Sequence, residues 1–390
     1  MRSVKKICVV VNSYPFNGIA MQPFVEQLVV TLIDSGVDCD VVVPRSITQN
    51  VIRKTTLPPK IYQAITPKNN KYQVYFPRHI TVSSIDGALG GIFAKINYLT
   101  FAGAVKKVVK KYGINPDIFY GHFFYPGGLT AAELSAVYNR PYFVACGENY
   151  FTSLDKMGSN WVKDKLKNIS GVIAVSSNNK NELIKRGYVR EEKVGVFINS
   201  IDSNMFYPRD KLEMRQKYNF DKDAFIVCFV GRFADVKGPK RLSAALDQID
   251  EVNSIFLGSG SNYPDCSNIL YCGAVSHDQV PEYLSLSDVF VLPTLAEGCC
   301  NAIIEAMACG LPIISSNLPF NDDILDDSCS IRIDPTDIDA IRNAIVYLKD
   351  NKGERLKMAA AALAKAGGLS IGKRAENILR FIGGMMEHEA

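Results

Sequence analysis

The feature that most constrains the fold is a repeated alternation of short Val- and Ile-rich runs with longer segments whose apolar residues recur at helical spacing. This alternation is typical of parallel sheets that are covered by helices on both faces. The runs fall into two series, and we therefore expect two doubly wound sheets. The first series comprises 7–11, 39–43, 118–120, 142–145 and 171–175, and the second comprises 225–230, 254–257, 289–292 and 311–315.

The length of the chain also indicates two domains. A single hydrophobic core stops growing at roughly 250–300 residues, and this chain has 390. We interpret 194–202, which lies between the two series, as the last strand of the first domain and the start of a linker. We therefore expect one domain over 1–205, a second over 206–373, and a final helical stretch over about 374–390.

The cysteine pattern and hydropathy bear on the compartment. The ten cysteines lack the paired spacing of a zinc site or a disulfide framework, and several lie in apolar, strand-like runs. We interpret them as reduced core residues, which favours a cytoplasmic location. No segment has about 18 uninterrupted apolar residues, so we expect no membrane-spanning helix.

The most informative stretch is VFVLPTLAEGCCNAIIEAMACGLP, which begins at Val289. It predicts a strand, a loop with Glu297 and Gly298, and a helix with Asn301 as its N-cap. Free amides at a helix N-terminus suit a diphosphate, and a glycine there lets the backbone approach closely. Glu297 and Glu305 can accept hydrogen bonds from sugar or ribose hydroxyls. The alternative is that Glu297 starts a turn while Glu305 faces water.

A second constellation, FIVCFVGRFADVKG, begins at Phe225 and leads from a strand into a loop with two cations. Gly231 starts the loop, and Arg232 and Lys237 follow. An arginine can hold a phosphate bidentately and a lysine adds a point charge, so the pair can neutralise a departing diphosphate. Routine surface charges at a strand end are the alternative.

Three weaker signals follow strands. Gly258, in LGSG, predicts a tight turn lining a nucleotide pocket, although the third glycine of a dinucleotide fingerprint is absent. Gly18 lies in the loop after the first strand. His122 follows a buried strand, where a ligand-binding and a purely structural histidine are both open readings.

These motifs resemble those of the retaining glycosyltransferases of family 4, also called glycosyl transferases group 1. Glu297 and Glu305 match the E-x7-E motif, and Arg232 and Lys237 match a G-R-x4-K-G loop. The resemblance implies the α/β GT-B fold, in which two Rossmann-like doubly wound domains face a central cleft. The spelling around Glu297 is similar to that of enzymes of bacterial capsular, O-antigen or exopolysaccharide synthesis.

The resemblance implies roles for particular residues. Catalytic roles fall to Arg232, Lys237, Glu297 and His122. The donor-binding residues it implies are Gly18, Gly231, Gly258, Gly298, Cys299, Cys300, Asn301, Ala302 and Glu305. Two departures stand out: Cys146-Gly147-Glu148 where a His-Gly is usual, and Ser200 where a glycine is usual.

The reaction implied by the resemblance is sugar transfer with retention of anomeric configuration, without an essential metal or cofactor. The donor would be a UDP- or GDP-sugar and the acceptor a hydroxyl of a glycan or a lipid-linked saccharide. The first domain would bind the acceptor and the second the donor, and the final helix would pack back on the first domain. Asp38 and Asp40 echo a metal-binding D-x-D, but we interpret them as strand residues.

Charge is unevenly distributed along the chain. Residues 1–200 carry 25 Lys and Arg against 13 Asp and Glu, a net charge of +12. This excess suggests an anionic partner, such as the cytoplasmic face of a membrane. The segment 102–112 could be a basic, membrane-touching helix or a core-packed helix with a solvated basic face. No basic motif interleaved with aromatics is found, so we expect no nucleic-acid partner.

Two other functions remain open from the sequence. A sugar-nucleotide epimerase of the same fold would bind the donor and chemically alter its sugar. A non-catalytic nucleotide-sugar-binding protein would keep the fold without turnover. The presence of both cations and both glutamates favours transfer over either alternative.

Overall fold

A computed structural model of the chain describes residues 4–16, 23–82, 89–148 and 150–388. It divides into two compact units. The first contains 1–197 together with 371–390, and the second contains 198–370. Each unit has its own sheet, which confirms the two doubly wound domains expected from the alternating pattern.

The first unit is built on an eight-stranded sheet with the order β10-β9-β8-β7-β1-β2-β5-β4. Its neighbours are parallel except for β4 and β5, which form an antiparallel hairpin at one edge. The order changes direction between β1 and β7, and ligands bind at such switch points in doubly wound sheets. The strands are β1 (Lys6–Val10), β2 (Asp38–Val42), β3 (Arg45–Ser46), β4 (Ile61–Ile65), β5 (Lys71–Tyr75), β6 (Arg78–His79), β7 (Ile118–His122), β8 (Tyr142–Cys146), β9 (Gly171–Ala174) and β10 (Val194–Val196).

Helices cover this sheet, and the short strands β3 and β6 pair with each other outside it. Buried side chains form two core clusters, one around Val105 and Phe119 and the other around Val9 and Leu28. The helices of this part are α1 (Pro23–Asp34), α2 (Ile47–Arg53), α3 (Gly90–Lys111), α4 (Leu129–Tyr138), α5 (Thr152–Met157), α6 (Ser159–Leu166) and α7 (Ser177–Lys185).

The second unit has a six-stranded sheet in which every neighbouring pair is parallel. Its order is β13-β12-β11-β14-β15-β16, with the switch point between β11 and β14. The strands are β11 (Phe225–Val230), β12 (Val252–Leu257), β13 (Ile269–Gly273), β14 (Val289–Leu292), β15 (Ile313–Ser316) and β16 (Ser330–Ile333). The helices are α8 (Lys211–Lys217), α9 (Pro239–Leu246), α10 (Val280–Leu286), α11 (Asn301–Ala308), α12 (Ile338–Asp350) and α13 (Lys352–Ala366).

The division between the units lies at Phe197–Ile198 rather than near residue 205. The physical reason is that Ile201 and Phe206 are buried in the core of the second unit. In addition, the Ile201 N–H donates to the Leu369 carbonyl at 2.8 Å. The segment expected to be a linker is therefore anchored to the second unit.

The final helix, α14 (Ile371–His388), belongs to the first unit. Its buried residues Ile378 and Ile382 join the core cluster that contains Val9 and Leu28. The Arg374 Nε donates to the Phe197 carbonyl at 3.3 Å. The chain thus returns to the first unit after completing the second.

The basic half of α3 is packed into the core. Val105, Val108 and Val109 are buried, whereas Lys107 and Lys110 are exposed. The idea that this segment presents an apolar face to lipid is wrong, because the first unit already covers that face. In the ranges that the structure describes, no helix combines the length and hydrophobicity needed to cross a bilayer.

Candidate functional site

The candidate site lies at the switch point of the second unit, where β11 and β14 end side by side. The loop after β11 carries Arg232 and Lys237, and the loop after β14 carries Glu297. The two loops are joined by the Leu295 N–H, which donates to the Val236 carbonyl at 2.7 Å. The fold therefore brings together charged residues that are far apart in the sequence.

Lys237 and Glu297 form a direct ion pair. Their side chains are 18% and 7% exposed, so the pair is largely removed from water. A lysine ammonium has three donors, and Glu297 occupies one of them. The remaining donors can contact an anion, so the glutamate positions a cation that can still bind a ligand.

Arg232 is placed differently from Lys237. Its side chain is exposed, and the described residues provide it with no hydrogen bond or ion pair. An exposed guanidinium on the same loop as Lys237 offers a planar fork for a phosphate. Of the two predicted cations, the fold fixes one and leaves the other accessible.

Close backbone approach explains one of the predicted glycines. A Cβ on Gly258 would lie 1.9 Å from the Gly231 carbonyl oxygen, so a side chain at Gly258 is sterically excluded. The Gly231 N–H also donates to the Leu257 carbonyl at 2.9 Å. Gly258 thus lets the loops after β11 and β12 pack against each other, whereas a Cβ on Gly231 would meet no atom closer than 3.4 Å.

The N-terminus of α11 differs from the expected one. Cys300 occupies the cap position and Asn301 is the first helical residue, so the assignment of Asn301 as N-cap is wrong. The Asn301 Oδ1 instead accepts a hydrogen bond from the Asn199 Nδ2 at 2.8 Å. Asn199 Nδ2 also donates to the Cys299 carbonyl at 3.4 Å.

Asn199 lies in the segment 194–202 that was interpreted as a strand and the start of a linker, and its hydrogen bonds make it a residue of the site. It ties the loop of Cys299 to the start of α11, where backbone amides point out of the helix. Those amides and the helix dipole favour an anion at this position. Gly298 and Cys300 are buried, whereas Cys299 and Ala302 are partly exposed.

Glu305 lies one turn into α11. Burial raises the pKa of its carboxyl group to about 7. The described residues offer this carboxyl no salt bridge. A half-buried carboxyl with no cation paired to it is partly protonated near neutral pH, and it can hydrogen-bond a ligand hydroxyl.

His122 belongs to the first unit, at the end of β7 and next to that unit's own switch point. Its ring packs against Phe24 and Phe123, with centroid distances of 5.6 Å and 4.7 Å. Burial, and secondarily the positive charge of Arg374, lowers its pKa to about 3. The imidazole is therefore neutral, and its Nδ1 has no hydrogen-bond partner in the described residues.

Glu148, just after the end of β8, is a half-buried carboxyl that was not singled out as a site residue. It accepts hydrogen bonds from the backbone N–H groups of Phe124 and Gly147. Burial raises its pKa to about 7. The signal in the sequence was the polar CGEN stretch that directly follows a strand.

Other expected features are placed as follows. Gly18 lies outside the described residues. Asp40 forms an ion pair with Lys6 at 3.0 Å and accepts a hydrogen bond from the Tyr75 hydroxyl, as a strand residue would.

Within the described ranges, no three His, Cys, Asp or Glu side chains group as metal ligands. All ten cysteines are free, and eight of them are buried.

Two Rossmann-like units, one with a cation–carboxylate site at its switch point, define a protein of the GT-B fold. Comparison with known proteins gives a match for most of the second unit. Residues 210–365 match the family described as glycosyl transferases group 1. That segment contains Arg232, Lys237, Glu297 and Glu305, so the resemblance of these residues to glycosyl transferases group 1 is confirmed.

Two curated relatives extend the match into the first unit. The chain is 28% identical over 253 residues to TuaC of Bacillus subtilis, named as a teichuronic acid biosynthesis glycosyltransferase. It is 31% identical over 227 residues to an Escherichia coli UDP-Gal:alpha-D-GlcNAc-diphosphoundecaprenol alpha-1,3-galactosyltransferase. These matches cover 63% and 53% of this chain and 64% and 58% of the relatives. The chain thus spans about three fifths of the length of these relatives.

Solved structures share the fold at low sequence identity. Sucrose-phosphate synthase from Thermosynechococcus elongatus superimposes with a TM-score of 0.80 at 19% identity, covering 98% of this chain and 100% of that one. HepE from Anabaena in complex with UDP gives a TM-score of 0.72 at 16% identity, with coverages of 97% and 100%. These likenesses establish the GT-B fold of the chain.

Proposed function

We propose that this protein is a glycosyltransferase that moves a sugar from a nucleoside diphosphate to an acceptor hydroxyl. The observation that carries the proposal is the Lys237–Glu297 ion pair at the switch point of the second unit. This pair lies within the segment that matches glycosyl transferases group 1. A cation held beside a sugar-binding carboxylate is what a nucleotide-sugar site requires.

The donor proposed is a UDP- or GDP-sugar. The Escherichia coli relative is named for UDP-Gal, and HepE was solved with UDP. In this chain the diphosphate would contact Arg232, Lys237 and the first amides of α11. The Glu305 carboxyl would hydrogen-bond the ribose, and Glu297 would bind the transferred sugar.

The chemistry proposed is substitution at the anomeric carbon with retention of configuration. The bond from the anomeric carbon to the diphosphate oxygen breaks while the acceptor oxygen bonds to the same face. The acceptor proton passes to the departing diphosphate oxygen, so no external base is needed. Arg232 and Lys237 stabilise the negative charge that develops on the leaving group.

These cations also provide the basis for a metal-independent reaction. A divalent ion and a pair of cationic side chains can perform the same task, which is to neutralise a departing diphosphate. Lys237 is held in place by Glu297 before the donor arrives. We therefore propose that activity persists in the presence of a chelator.

His122 would act in the first unit as a neutral hydrogen-bonding group. Because its pKa is about 3, the imidazole neither carries charge nor serves as a strong base at neutral pH. Its buried Nδ1 has no hydrogen-bond partner in the described residues, and a hydroxyl of the transferred sugar would supply one. Its role would be to orient the sugar rather than to abstract a proton.

The biological setting proposed is the synthesis of a cell-surface polysaccharide at the cytoplasmic side. TuaC is named for teichuronic acid biosynthesis, and another relative, WclY of Escherichia coli, for O-antigen biosynthesis. Both names refer to surface glycans. The acceptor would accordingly be a hydroxyl of a growing or lipid-linked saccharide.

A panel of UDP- and GDP-sugars tests the proposal. The purified protein is incubated with each sugar nucleotide, with chelator and with a lipid-linked saccharide fraction, and released nucleoside diphosphate is quantified. We expect release from one donor, stimulation by the acceptor, and loss of release in Glu297→Ala and Lys237→Ala. Lys240→Ala is the control, because Lys240 is exposed and paired with the exposed Asp265 rather than with Glu297.

Two outcomes would overturn the proposal. If a folded protein binds one donor but releases no diphosphate with any acceptor, it is a nucleotide-sugar-binding protein. If diphosphate is released without acceptor and the free sugar is an epimer, it is an epimerase.

A further inference from the structure

The edges of the two large sheets differ in how well they are protected against pairing with another chain. An edge strand has unpaired backbone groups on its outer side, and proteins usually protect it with a charge, a proline, a bulge or a very short length. In the described chain, three of the four strands that end these sheets have such a feature. β10 has only three residues, β16 carries Arg332, and the pairing of β13 with β12 contains a shift in register.

The fourth edge strand, β4, has none of these features. Its sequence IYQAI contains no charged residue, no proline and no glycine. Its five residues pair with β5 in one unbroken antiparallel register, from Ile61 opposite Tyr75 to Ile65 opposite Lys71. In the described residues, no further strand lies beside β4 on its outer side. β4 is therefore a regular strand with an unprotected edge.

The hydrogen bonds to β5 determine which backbone groups of β4 point away from the sheet. The Phe76 N–H donates to the Lys60 carbonyl at 2.8 Å, and the Thr66 N–H donates to the Asn70 carbonyl at 2.9 Å. Successive residues of an antiparallel pair alternate in the direction of these groups, so the even-numbered residues over 60–66 bond β5. The three odd-numbered residues of β4 consequently direct their N–H and C=O groups to the outer side.

The odd-numbered residues of β4 also form the exposed face of the strand. Ile61 and Ile65 are 38% and 59% exposed, and Gln63 between them is exposed as well. On the opposite face, Ala64 and the following Thr66 are buried. The outer edge of β4 thus combines outward backbone donors and acceptors with two apolar side chains that face solvent.

A second copy of β4 fits this edge around a two-fold axis. When two copies of the strand run antiparallel with their Gln63 residues opposite each other, Ile61 of each copy lies opposite Ile65 of the other. All three opposed pairs are then of the hydrogen-bonded kind, in which two residues exchange two bonds. Every contact occurs twice by symmetry, as an interface between identical surfaces requires.

Charges at the two ends of β4 fit the same arrangement. In that register Lys60, just before the strand, lies opposite Thr66 of the second copy, just after it. Within each copy, the Thr66 hydroxyl and the Asn70 Nδ2 donate to the Asp34 carboxylate, the latter at 2.8 Å. Neither Lys60 nor Asp34 has an oppositely charged partner in the described residues. Each Lys60 therefore meets the Asp34 carboxylate of the other copy.

We propose that β4 is a dimerisation strand, which joins the eight-stranded sheets of two copies of this chain through an antiparallel β4–β4 pair centred on Gln63. Because each copy contributes a single short strand, the dimer belongs to the class of small, reversible interfaces. The proposal does not rest on the proposed function. β4 lies in the first unit, whereas the Lys237–Glu297 pair lies in the second.

Self-complementarity favours a second copy of the chain over an unrelated extended segment. An unrelated segment could use the outward backbone groups of β4. It would also have to place an apolar residue opposite each isoleucine and an acid opposite Lys60. A second β4 provides all of these in one register, and cross-strand apolar and opposite-charge pairs are what stabilises a sheet.

Sedimentation velocity of the full chain over a concentration series tests the proposal. We expect a monomer–dimer equilibrium for the wild type, with dimer populated at roughly 100 µM, as is reasonable for an interface of this size. Gln63→Pro should abolish the dimer, because proline removes an outward N–H that β5 does not use. Gln63→Ala keeps that N–H and should dimerise as the wild type does. A wild type that stays monomeric at this concentration would overturn the proposal.

Ile65→Asp keeps the test available if proline unfolds the hairpin. It should weaken the dimer by about tenfold, because it replaces both cross-strand Ile–Ile contacts. Val137 of α4 is 66% exposed and lies outside β4, so Val137→Asp should dimerise as the wild type does. A dimer that survives Ile65→Asp, in a variant whose circular dichroism matches the wild type, is held by another surface and contradicts the proposal.

Charge exchange tests the register of the pair. Lys60→Glu places two acids opposite each other and Asp34→Lys two cations, so each variant should self-associate about tenfold more weakly. A mixture of the two variants should associate again, because a dimer with one chain of each kind has opposite charges at both ends. If the folded variants stay monomeric when mixed, the register is wrong and the proposal fails.

Lys185→Glu is the matched control for the charge variants. Lys185 is exposed at the end of α7, which packs on β9 and β10 at the other end of the sheet. This substitution changes the net charge as much as Lys60→Glu does but should leave the dimer unchanged. If Lys185→Glu weakens the dimer equally, net charge rather than the Lys60–Asp34 contact controls association, which contradicts the proposed register.

Hydrogen exchange, followed for single amides by NMR, identifies the groups that the dimer covers. The amides of Tyr62 and Ala64 are bonded to β5 in the monomer, whereas those of Gln63 and Ile65 point outward. Raising the protein concentration should slow the exchange of the Gln63 and Ile65 amides by about tenfold or more as dimer forms. Dimerisation that leaves the exchange of these two amides unchanged would assign the interface to another surface and overturn the proposal.

Discussion

Lys237 and Glu297 are sixty residues apart in the sequence and form a direct ion pair at the switch point of the second unit. The pair is largely buried, so neither charge can be removed without affecting the other. Each residue therefore positions its partner, and the site is organised before a ligand arrives. This relationship gives the first prediction.

Replacing Lys237 by alanine should impair both turnover and stability. Removing a preorganised charge of this kind lowers the rate by roughly 10²–10³-fold. It also leaves the Glu297 carboxylate buried without a cation, which costs about 3 kcal/mol or more in the free energy of unfolding. Turnover assays and chemical denaturation measure the two effects.

The double variant Lys237→Ala, Glu297→Ala separates these effects. It should recover stability relative to Lys237→Ala, since no unpaired buried charge remains, yet stay inactive. Lys240→Ala should match the wild type in both assays. A Lys237→Ala protein as stable as the wild type would show that the pair is solvated rather than buried.

The sheets and the site differ in how far the sequence could predict them. The buried strands β1, β7, β8, β11 and β14 were expected at or within a residue or two of their observed bounds, because each is a short apolar run. The hairpin of β4 and β5 was missed, since its edge strand β4 is mostly exposed and lacks such a run. Strands could therefore be predicted where their residues are buried and apolar, and the strand with mostly exposed residues was missed.

Pairings across the fold could not be predicted from local pattern. The residues Lys237 and Glu297 were each identified, but their contact depends on the order of β11 and β14 in the sheet. The hydrogen bond from Asn199 to Asn301 was not predicted either. Asn301 stands at the start of a predicted helix, where an asparagine is ordinarily the N-cap, so we expected its side chain to bond its own helix. The boundary between the units was predicted near residue 205 and lies at 197–198. The sequence does not show that Ile201 and Phe206, which lie in an irregular segment, pack into the core of the second unit.

A glycine exchange tests the packing of the two loops. Gly258→Ala would place a Cβ within 1.9 Å of the Gly231 carbonyl oxygen, so the loops must separate. We expect weaker donor binding and a loss of roughly 1–3 kcal/mol in the free energy of unfolding. Thermal melts and nucleotide titration measure these changes.

Gly103→Ala is the matched control for Gly258→Ala. Gly103 lies within α3, and a Cβ there would meet nothing within 4 Å. Alanine in a helix interior is favoured over glycine by about 0.5–1 kcal/mol, so this variant should be slightly stabilised. Equal behaviour of the two variants would rule out close loop packing at Gly258.

The pKa of Glu305 predicts a pH dependence of stability. Its folded pKa of about 7 lies above the ordinary glutamate value of 4.5, so the folded state binds the proton more tightly than the unfolded state. The resulting stabilisation is fully present below the unfolded pKa and is lost as pH rises through about 7. Glu305→Gln should lack this loss.

Denaturation of wild type and Glu305→Gln at several pH values between 5 and 8 measures the difference. The free energy of unfolding of the wild type should fall relative to that of the variant as pH rises. Glu148, whose pKa is also about 7, contributes equally to both proteins and cancels in the comparison. A difference that stays constant with pH would mean that Glu305 is ionised throughout.

His122 should remain neutral across the working pH range of the protein. Because burial and Arg374 lower its pKa to about 3, its ring resonances should not titrate between pH 5 and 8. NMR spectra of the wild type and of His122→Gln, which assigns the signals, measure this. A midpoint near the ordinary value of 6.5 would contradict a buried, neutral imidazole.

The central claim is sugar transfer at the Lys237–Glu297 site, and the transfer of labelled sugar tests it most directly. The protein is incubated with the labelled donor identified from the panel and with the lipid-linked saccharide fraction, with chelator present. We expect label in the saccharide product with wild type and Lys240→Ala, and none with Lys237→Ala. Label recovered only as free sugar, or equal transfer by Lys237→Ala, would contradict the claim.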